Sequence, residues 1–175
     1  MKALSLWQPW ATAIAVGSKL VETRGWATKY RGPLLIHAAK RRNINELQHY
    51  HSCWNWQGAM TKAGWKWGTR EVPDNYDLPL GALIAICDLV DCRPTDGFTQ
   101  AELDTPRWQD GREGSLYTWT ERQMGDFSLG RFGWVLENVR AIDPPIPCVG
   151  RQGLFEVDDP AVLDTLSELV RKAAA

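Results

Sequence analysis

Residues 5–24 read Ser-Leu-Trp-Gln-Pro-Trp-Ala-Thr-Ala-Ile-Ala-Val-Gly-Ser-Lys-Leu-Val-Glu-Thr-Arg. Residues 3–6 are predicted to be extended, and a short apolar helix is predicted over residues 9–16, because proline is tolerated in a first helical turn. Gly17 ends this helix, since glycine readily adopts the left-handed conformation found after a helix. Residues 19–24 are predicted to form the next strand. The stretch therefore predicts a strand, a helix, a turn and a second strand.

Further apolar runs predict the rest of one sheet. They are strand-length, rich in branched or aromatic residues, and bounded by Gly or Pro. The predicted strands cover residues 3–6, 19–24, 34–39, 82–90, 132–139 and 154–157. About six strands is the usual size of one sheet or small barrel. An acidic start with Pro160 in the first turn predicts a C-terminal helix over residues 160–173. The pattern alone predicts a mainly β domain of the α+β class.

Length and composition indicate one domain. The chain has 175 residues and 44% hydrophobic residues, enough for one ordinary core, so we predict a single domain over residues 1–175. Two stretches, near residues 43–78 and 95–128, fit no strand pattern and are predicted to be insertions that wall a cleft. The first contains a predicted helix at residues 44–51. It also contains four tryptophans, Trp54, Trp56, Trp65 and Trp67.

Targeting, redox and metal signals are weak. No apolar run has the length of a membrane helix and the first residues do not resemble a cleavable signal, so we predict a cytoplasmic protein. The four cysteines form no C-x-x-C pair and are predicted to be reduced thiols. A zinc site built from His49, His51 and Cys53 would lack a fourth ligand at a diagnostic spacing. We predict no metal and no cofactor.

The net charge of −1 conceals an uneven distribution along the chain. Residues 1–70 carry eleven Lys or Arg and two acidic residues, whereas residues 71–175 carry nine basic and nineteen acidic residues. If the first part forms one surface, that surface is basic and attracts phosphates. The alternative is that strands from the two parts interleave, in which case the charges mix.

Polar residues cluster at both ends of the first predicted helix. Gln8 stands at its beginning and Lys19 follows its end, so both side chains can face one cleft. Glu22 and Arg24 share a face of the next strand, because side chains alternate between the two faces. Arg24 can bind phosphate through its planar guanidinium. Glu22 can hold Arg24 in place or accept a hydrogen bond from the amino group of a base. The alternative is a structural ion pair at the rim of the sheet.

Aromatic and basic side chains surround this cluster. The chain has ten tryptophans, and each is either a core residue or a platform for stacking a base. Trp7 and Trp26 flank the predicted cleft, and Trp65 and Trp67 stand beside Lys62 and Lys66, so these four are candidates for stacking. Trp10 and Trp134 lie in apolar runs and are assigned to the core. Aromatic or basic residues at both ends of the next strand are candidate nucleic-acid contacts. They are Tyr30, Arg31, Lys40 and Arg41.

Several blocks of the chain form a recognisable combination. The first three are Trp-Gln-Pro-Trp at residues 7–10, Gly-x-Lys-x-x-Glu-x-Arg at residues 17–24, and the run at residues 30–40. The later blocks are residues 80–83, 88–92, 130–134 and 152–157. Together they resemble the ASCH (activating signal cointegrator homology) family. The resemblance implies the PUA-like fold (pseudouridine synthase and archaeosine transglycosylase), a small β-barrel with flanking helices and a cleft that faces RNA or a nucleotide.

The resemblance also implies two kinds of catalysis. Some ASCH proteins hydrolyse RNA, and a small bacterial member removes the acyl group of N4-acetylcytidine with a Lys, a Thr three residues later and a distal Glu. The Lys corresponds to Lys19, but Glu22 stands where the Thr is expected. The distal acid falls in the second insertion, where Glu113 and Glu121 are candidates. In metal-free RNA cleavage, Lys19 can stabilise the phosphorane charge and Glu22 can take the 2′-hydroxyl proton, so these two are the candidate catalytic residues. His37 is another candidate base, although its apolar strand favours a core position.

Binding needs only the cleft, the charges and the rings that the sequence shows. We therefore predict a domain that binds RNA or a single-stranded nucleic acid in a basic, Trp-lined cleft. The alternative is a hydrolase that acts on RNA or on N4-acylated cytidine. In the second case the ligand is a modified nucleoside. A third hypothesis is protein interaction through the tryptophans of the first insertion.

Overall fold

A computed structural model describes residues 1–41, 78–104, 108–109 and 118–173. Most of the predicted first insertion lies outside these residues, together with its predicted helix, its tryptophans and the histidines and cysteine of the zinc hypothesis. Glu113 also lies outside them. Within the described part, no group of three or more His, Cys, Asp or Glu could hold a metal ion. No helix in that part is long and apolar enough to cross a lipid bilayer.

Eight strands and four helices make up the described fold. The strands are β1 (Lys2–Leu6), β2 (Val21–Arg24), β3 (Gly32–Ala38), β4 (Ala82–Pro94), β5 (Trp108–Gln109), β6 (Thr118–Trp119), β7 (Phe132–Pro147) and β8 (Leu154–Glu156). The helices are α1 (Trp10–Ala15), α2 (Gln100–Asp104), α3 (Glu121–Met124) and α4 (Pro160–Ala173), with a 3₁₀ turn at Thr95–Gly97. Strands β5 and β6 pair separately from the main sheet.

The main sheet has six strands in the order β2-β7-β4-β3-β1-β8. Strands β1 and β3 run parallel, and the other pairs are antiparallel. The predicted α+β class, with about six strands in one sheet and flanking helices, is confirmed. Among the described residues, β2 and β8 have no partner on their outer sides, so the sheet is a curled half-barrel with two edges.

The observed strand boundaries differ from the predicted ones, and the differences at β2, β4 and β7 have a structural cause. Strands β4 and β7 are longer than predicted, and their pairing contains three register shifts. Such bulges bend and twist a strand, which lets two long strands follow the curl of the sheet. Strand β2 begins later than predicted, because the backbone N–H groups of Ser18 and Lys19 still donate to the carbonyl oxygen of Ala13, at 2.9 and 3.1 Å. Lys19 is therefore in the turn that follows α1.

Two apolar clusters stabilise the sheet, one on each face. Inside the curl, Ile14 of α1 packs with Ile36 and Trp134, and Trp134 is completely buried as predicted. On the outer face, Leu166 of α4 packs with Leu35 and other apolar residues of the sheet. Helix α1 therefore lies within the curl and connects β1 to β2 across it. Both ends of residues 5–24 consequently lie at one edge of the sheet.

Strands from the two parts of the chain interleave in the sheet. Acidic residues of the second part consequently pair with basic residues of the first part. Lys2 lies 2.8 Å from Glu156, and Arg31 lies 3.4 Å from Asp91. The mixed-charge alternative therefore holds for these positions, and residues 42–70 lie outside the described residues.

Candidate functional site

The site begins at the edge of the sheet where the parallel strands β1 and β3 end. Trp7 follows β1, and Lys40 and Arg41 follow β3 shortly after its end. Arg24, the last residue of β2, reaches the same edge and donates from Nη2 to the carbonyl oxygen of Ser5 at 2.9 Å. This bond joins the edge strand β2 to β1. Residues separated in the sequence are thus brought around one opening.

Three charged side chains form a line below this opening. The carboxylate of Glu22 lies 3.3 Å from Arg24 Nε and 3.7 Å from Lys19 Nζ. The Glu22 side chain is 9% exposed and the Lys19 side chain 1%, whereas that of Arg24 is 27% exposed. A buried carboxylate is tolerated because two cations compensate its lost hydration. Arg24 is therefore the member of the line that is best placed to reach a ligand.

An inner cavity of about 480 Å³ opens above Glu22 and Arg24. This volume lies within the usual range for small-ligand sites. One wall comes from the opening stretch of the chain and the other from the segment around α3. The lining residues are Ser5, Leu6, Trp7, Trp10, Glu22, Thr23, Arg24, Gln123, Met124, Gly125, Asp126 and Arg131.

An outer cavity of about 1150 Å³ shares Ser5, Trp7 and Arg24 with the inner one. Its wall includes the exposed cations Lys40, Arg41 and Arg151, which form no ion pair with another described residue. Three carboxylates also line it, at Glu156, Asp158 and Asp159. The two cavities together form one cleft, divided where Trp7 and Arg24 stand.

Trp7 offers an exposed ring at this division. Trp7 is 43% exposed, and the Arg41 guanidinium lies 5.6 Å from the centroid of its ring. Trp26 is 38% exposed and lines the outer cavity. Its ring meets the buried ring of Trp134 edge to face, with centroids 4.6 Å apart. Trp26 is thus partly held by the core, while Trp7 is the more available stacking surface.

Lys19 lies behind Glu22 and lines neither cavity. Its Nζ donates to the carbonyl oxygen of Val21. Gly125 lies against the ammonium, because a Cβ at that position would be 3.4 Å from Nζ. Lys19 therefore acts on the site through Glu22, and the structure does not place it where it would touch a ligand in the cleft.

Glu121, a candidate distal acid, is completely buried. Its carboxylate accepts hydrogen bonds from the backbone N–H groups of Leu20 and Val21. These bonds tie α3, and with it one wall of the inner cavity, to the turn that carries Lys19. The carboxylate thus holds this wall in place, and Glu121 itself lines neither cavity.

The comparison with known families agrees with this architecture. The family model described as the ASCH domain matches residues 4–146. This chain belongs to the ASCH domain family. The matched region contains all or most of every strand of the main sheet except β8, and both walls of the inner cavity.

Two curated relatives and one solved structure extend the comparison. The chain is 32% identical over 111 residues to activating signal cointegrator 1 of Mus musculus, and 31% identical over 111 residues to that of Homo sapiens. Each match covers 61% of this chain but only 17% of the relative. The crystal structure of a ZmASCH mutant protein from Zymomonas mobilis has a TM-score of 0.48 and 18% identity, covering 95% of this chain and 96% of that chain.

Three predicted contact residues of this ASCH domain are placed away from the cavity surfaces. Gln8 is 2% exposed, its Nε2 donates to Pro79 O at 2.9 Å, and its Oε1 accepts from Thr12 N at 3.1 Å. The amide therefore stabilises the start of α1 and has no edge to offer a base. Tyr30 and Arg31 precede β3, so they lie at the opposite end of that strand from the cleft.

Arg31 also has hydrogen-bond acceptors and one counter-charge, Asp91, that the sequence did not reveal. Its guanidinium donates to the carbonyl oxygens of Thr28 and Tyr30, at 3.0 and 2.8 Å, and approaches Asp91 at 3.4 Å. The Tyr30 hydroxyl donates to the carbonyl oxygen of Pro33. Both side chains stabilise the turn before β3, and they line neither cavity.

The inner cavity contains residues that sequence reasoning missed. Arg131 Nη2 donates to Thr23 O at 3.2 Å, and its Nε lies 3.3 Å from an Asp126 carboxylate oxygen. These residues come from the second insertion and the start of β7, where no alternating pattern places them beside β2. One local sequence signal pointed to α3. Thr120 and Gln123 have the spacing of a capping box, and they form one at the start of that helix.

The close fit at Gly125 gives a first prediction. A Cβ there would lie 2.8 Å from a Phe127 ring carbon and 3.2 Å from Thr23 Cγ2. The Phe127 ring can shift, but Thr23 is in a buried strand, so we expect Gly125→Ala to lower the free energy of unfolding by about 1 kcal/mol. Gly25→Ala is the control, because its Cβ would meet nothing within 4 Å. Equal urea midpoints for the two variants would contradict the described wall.

Proposed function

We propose that this ASCH domain binds RNA or another single-stranded nucleic acid, with a base stacked on Trp7 and the backbone held by Arg24, Lys40 and Arg41. The observation that carries the proposal is the exposed Trp7 ring between two cavities, with the Arg41 guanidinium 5.6 Å from the ring centroid and Arg24 lining both cavities. Stacking on an aromatic ring beside cations is how proteins bind single strands with little dependence on sequence.

The concave shape of the cleft supports a single strand over a duplex. Bases inside a duplex are stacked on their neighbours and present only their edges, so a base must leave the stack to enter a pocket. Unpaired bases in RNA loops and strand ends are already available. The inner cavity of about 480 Å³ has the volume of a small-ligand site, and its floor carries both a carboxylate and a guanidinium.

The salt dependence of binding tests the role of the exposed cations. We expect the double variant Lys40→Ala and Arg41→Ala to bind single-stranded RNA more weakly. Two lost phosphate contacts make the slope of log affinity against log salt shallower by about 1.4, because single strands release roughly 0.7 counterions per neutralised phosphate. The measurement is fluorescence anisotropy of labelled RNA, matching DNA and a duplex across a salt series.

The matched control removes the same charge elsewhere. Lys29 and Arg140 are exposed and line neither cavity. Their double Ala variant is expected to keep the wild-type salt slope. If both double variants lose the same slope, binding is a general charge effect and the cleft is not the site. If the wild-type protein binds neither the RNA, the DNA nor the duplex, the proposed function fails.

One observation favours hydrolysis as a second candidate function. The Glu22 carboxylate lines the inner cavity beside two cations, a position from which it can take a proton from a bound hydroxyl or water. The substrate would be RNA or an N4-acylated cytidine. Running the binding samples on a denaturing gel, and incubating the protein with acylated cytidine, tests this directly. Turnover by wild type that Glu22→Gln abolishes would establish it, and intact substrates would exclude it.

A further inference from the structure

A serine and a histidine form a hydrogen-bonded pair at the floor of the outer cavity. Ser5 of β1 and His37 of β3 are directly paired in the parallel register. The Ser5 hydroxyl lies 3.1 Å from His37 Nδ1, and His37 Nε2 lies 3.0 Å from the carbonyl oxygen of Cys148. His37 is 2% exposed, and both residues line the outer cavity.

The Cys148 carbonyl determines which nitrogen of His37 carries the proton. A carbonyl oxygen can only accept, so Nε2 must be the donor in this bond. In a neutral ring the other nitrogen, Nδ1, then has a free lone pair that accepts the Ser5 hydroxyl proton. Burial lowers the pKa of His37, because the charged imidazolium is poorly solvated there. The ring is therefore neutral at pH 7 and has the tautomer of a general base toward Ser5.

The surroundings of the pair fit a nucleophile better than a packing contact alone. Ser5 is half-buried and lines both cavities, so part of this residue faces the cleft. Arg24 donates to the Ser5 carbonyl oxygen, which puts a positive charge beside the residue. The neighbouring thiol is a weaker candidate, since burial raises the pKa of Cys148.

Glycine at position 150 keeps the orienting carbonyl close to the ring. A Cβ at Gly150 would lie 2.2 Å from His37 Cε1 and 2.8 Å from the Ser5 hydroxyl oxygen, so no other residue fits there without displacement. The segment after β7 can consequently close on His37 and direct the Cys148 carbonyl at Nε2. This arrangement has the three parts of an activated nucleophile, namely the hydroxyl, its base and a group that orients the base.

We propose that Ser5, activated by His37, is the nucleophile of an esterase site that takes carboxylic esters in the outer cavity. The Ser5 oxygen attacks the ester carbonyl carbon while its proton moves to His37 Nδ1. The positive charge of Arg24 stabilises the resulting oxyanion. Collapse breaks the bond to the alcohol, which leaves with the proton from His37. Water, deprotonated by His37, then attacks the acyl-serine and releases the carboxylic acid, and Ser5 regains its proton.

Labelling with a fluorophosphonate probe tests the nucleophile, and p-nitrophenyl acetate hydrolysis tests turnover. The expected result is a covalent adduct on the peptide containing Ser5, with fluoride released, and ester hydrolysis above the buffer rate. Ser5→Ala is expected to abolish both, and His37→Gln to slow both by at least about 100-fold, the usual contribution of a general base. Ser167→Ala changes an exposed serine of α4 outside the cleft and is expected to change neither.

The result that overturns the proposal is an unlabelled Ser5 in folded wild-type protein, or hydrolysis that Ser5→Ala leaves unchanged. The first outcome is read on the wild type, so it does not depend on whether a variant folds. The test is independent of nucleic-acid binding, because neither probe contains a base or a nucleotide. An esterase that binds no RNA, or an RNA-binding domain that does not label, would separate the two proposals.

Discussion

Replacing Lys19 with Met is expected to lower the free energy of unfolding by about 3 kcal/mol. The substitution conserves volume but removes the ammonium that faces the Glu22 carboxylate at 3.7 Å and donates to Val21 O. Loss of one partner of a buried ion pair costs about 3–5 kcal/mol, and Arg24, which stays at 3.3 Å from Glu22, keeps the cost at the lower end. Urea unfolding followed by circular dichroism measures it.

A double-mutant cycle isolates the ionic contribution. The cycle compares Lys19→Met, Glu22→Gln and the double variant, and the double variant is expected to lose less stability than the sum of the two single losses, because the Lys19–Glu22 pair is broken by either change. Lys29→Met removes an exposed ammonium and is expected to change stability by less than about 0.5 kcal/mol. If Lys19→Met changes the free energy of unfolding as little as Lys29→Met does, the buried ion pairs among Lys19, Glu22 and Arg24 do not stabilise the site.

Replacing Trp7 with Ala is expected to weaken single-stranded RNA binding about 5- to 150-fold, the equivalent of about 1–3 kcal/mol for one stacked base. The ring is 43% exposed, so the fold loses little, and the thermal midpoint is expected to stay close to wild type. Trp7→Phe keeps a ring and is expected to retain most of the affinity. Anisotropy titrations at constant salt measure the three proteins.

Leu129→Ala provides the matched control for this substitution. Leu129 is 81% exposed and lines neither cavity, so its loss removes exposed apolar surface without removing a proposed contact. Its affinity for RNA is expected to equal that of wild type. Equal losses for Trp7→Ala and Leu129→Ala would mean that the ring at the division of the cleft makes no specific contact.

Much of the sheet could be predicted from local sequence, because its strands are apolar runs that end at Gly or Pro. The extent of β4 and β7 could not, since it depends on bulges that arise only when these two strands pair. The curl that leaves β2 as an edge depends on the same pairing. The first insertion falls outside the described residues, so its predicted helix stays a prediction, as does the cytoplasmic location.

The candidate site shows the same division between local and long-range information. Strand alternation predicts that Glu22 and Arg24 share a face, and their charged groups lie 3.3 Å apart. The burial of Gln8 could not be predicted, because its partner Pro79 is distant in the sequence. Arg131 was missed for the same reason, since only the pairing of β2 with β7 brings it to Thr23.

Photo-cross-linking of a single-stranded RNA that carries one 4-thiouridine tests the central claim most directly. The cross-linked peptides are identified by mass spectrometry, so the experiment locates the base on the chain without changing the protein. The account predicts cross-links on the peptide that contains Trp7 and on the cavity wall made of Gln123, Met124, Gly125, Asp126 and Arg131. Cross-links confined to the Tyr30 and Arg31 end of β3, or to α4, would contradict it.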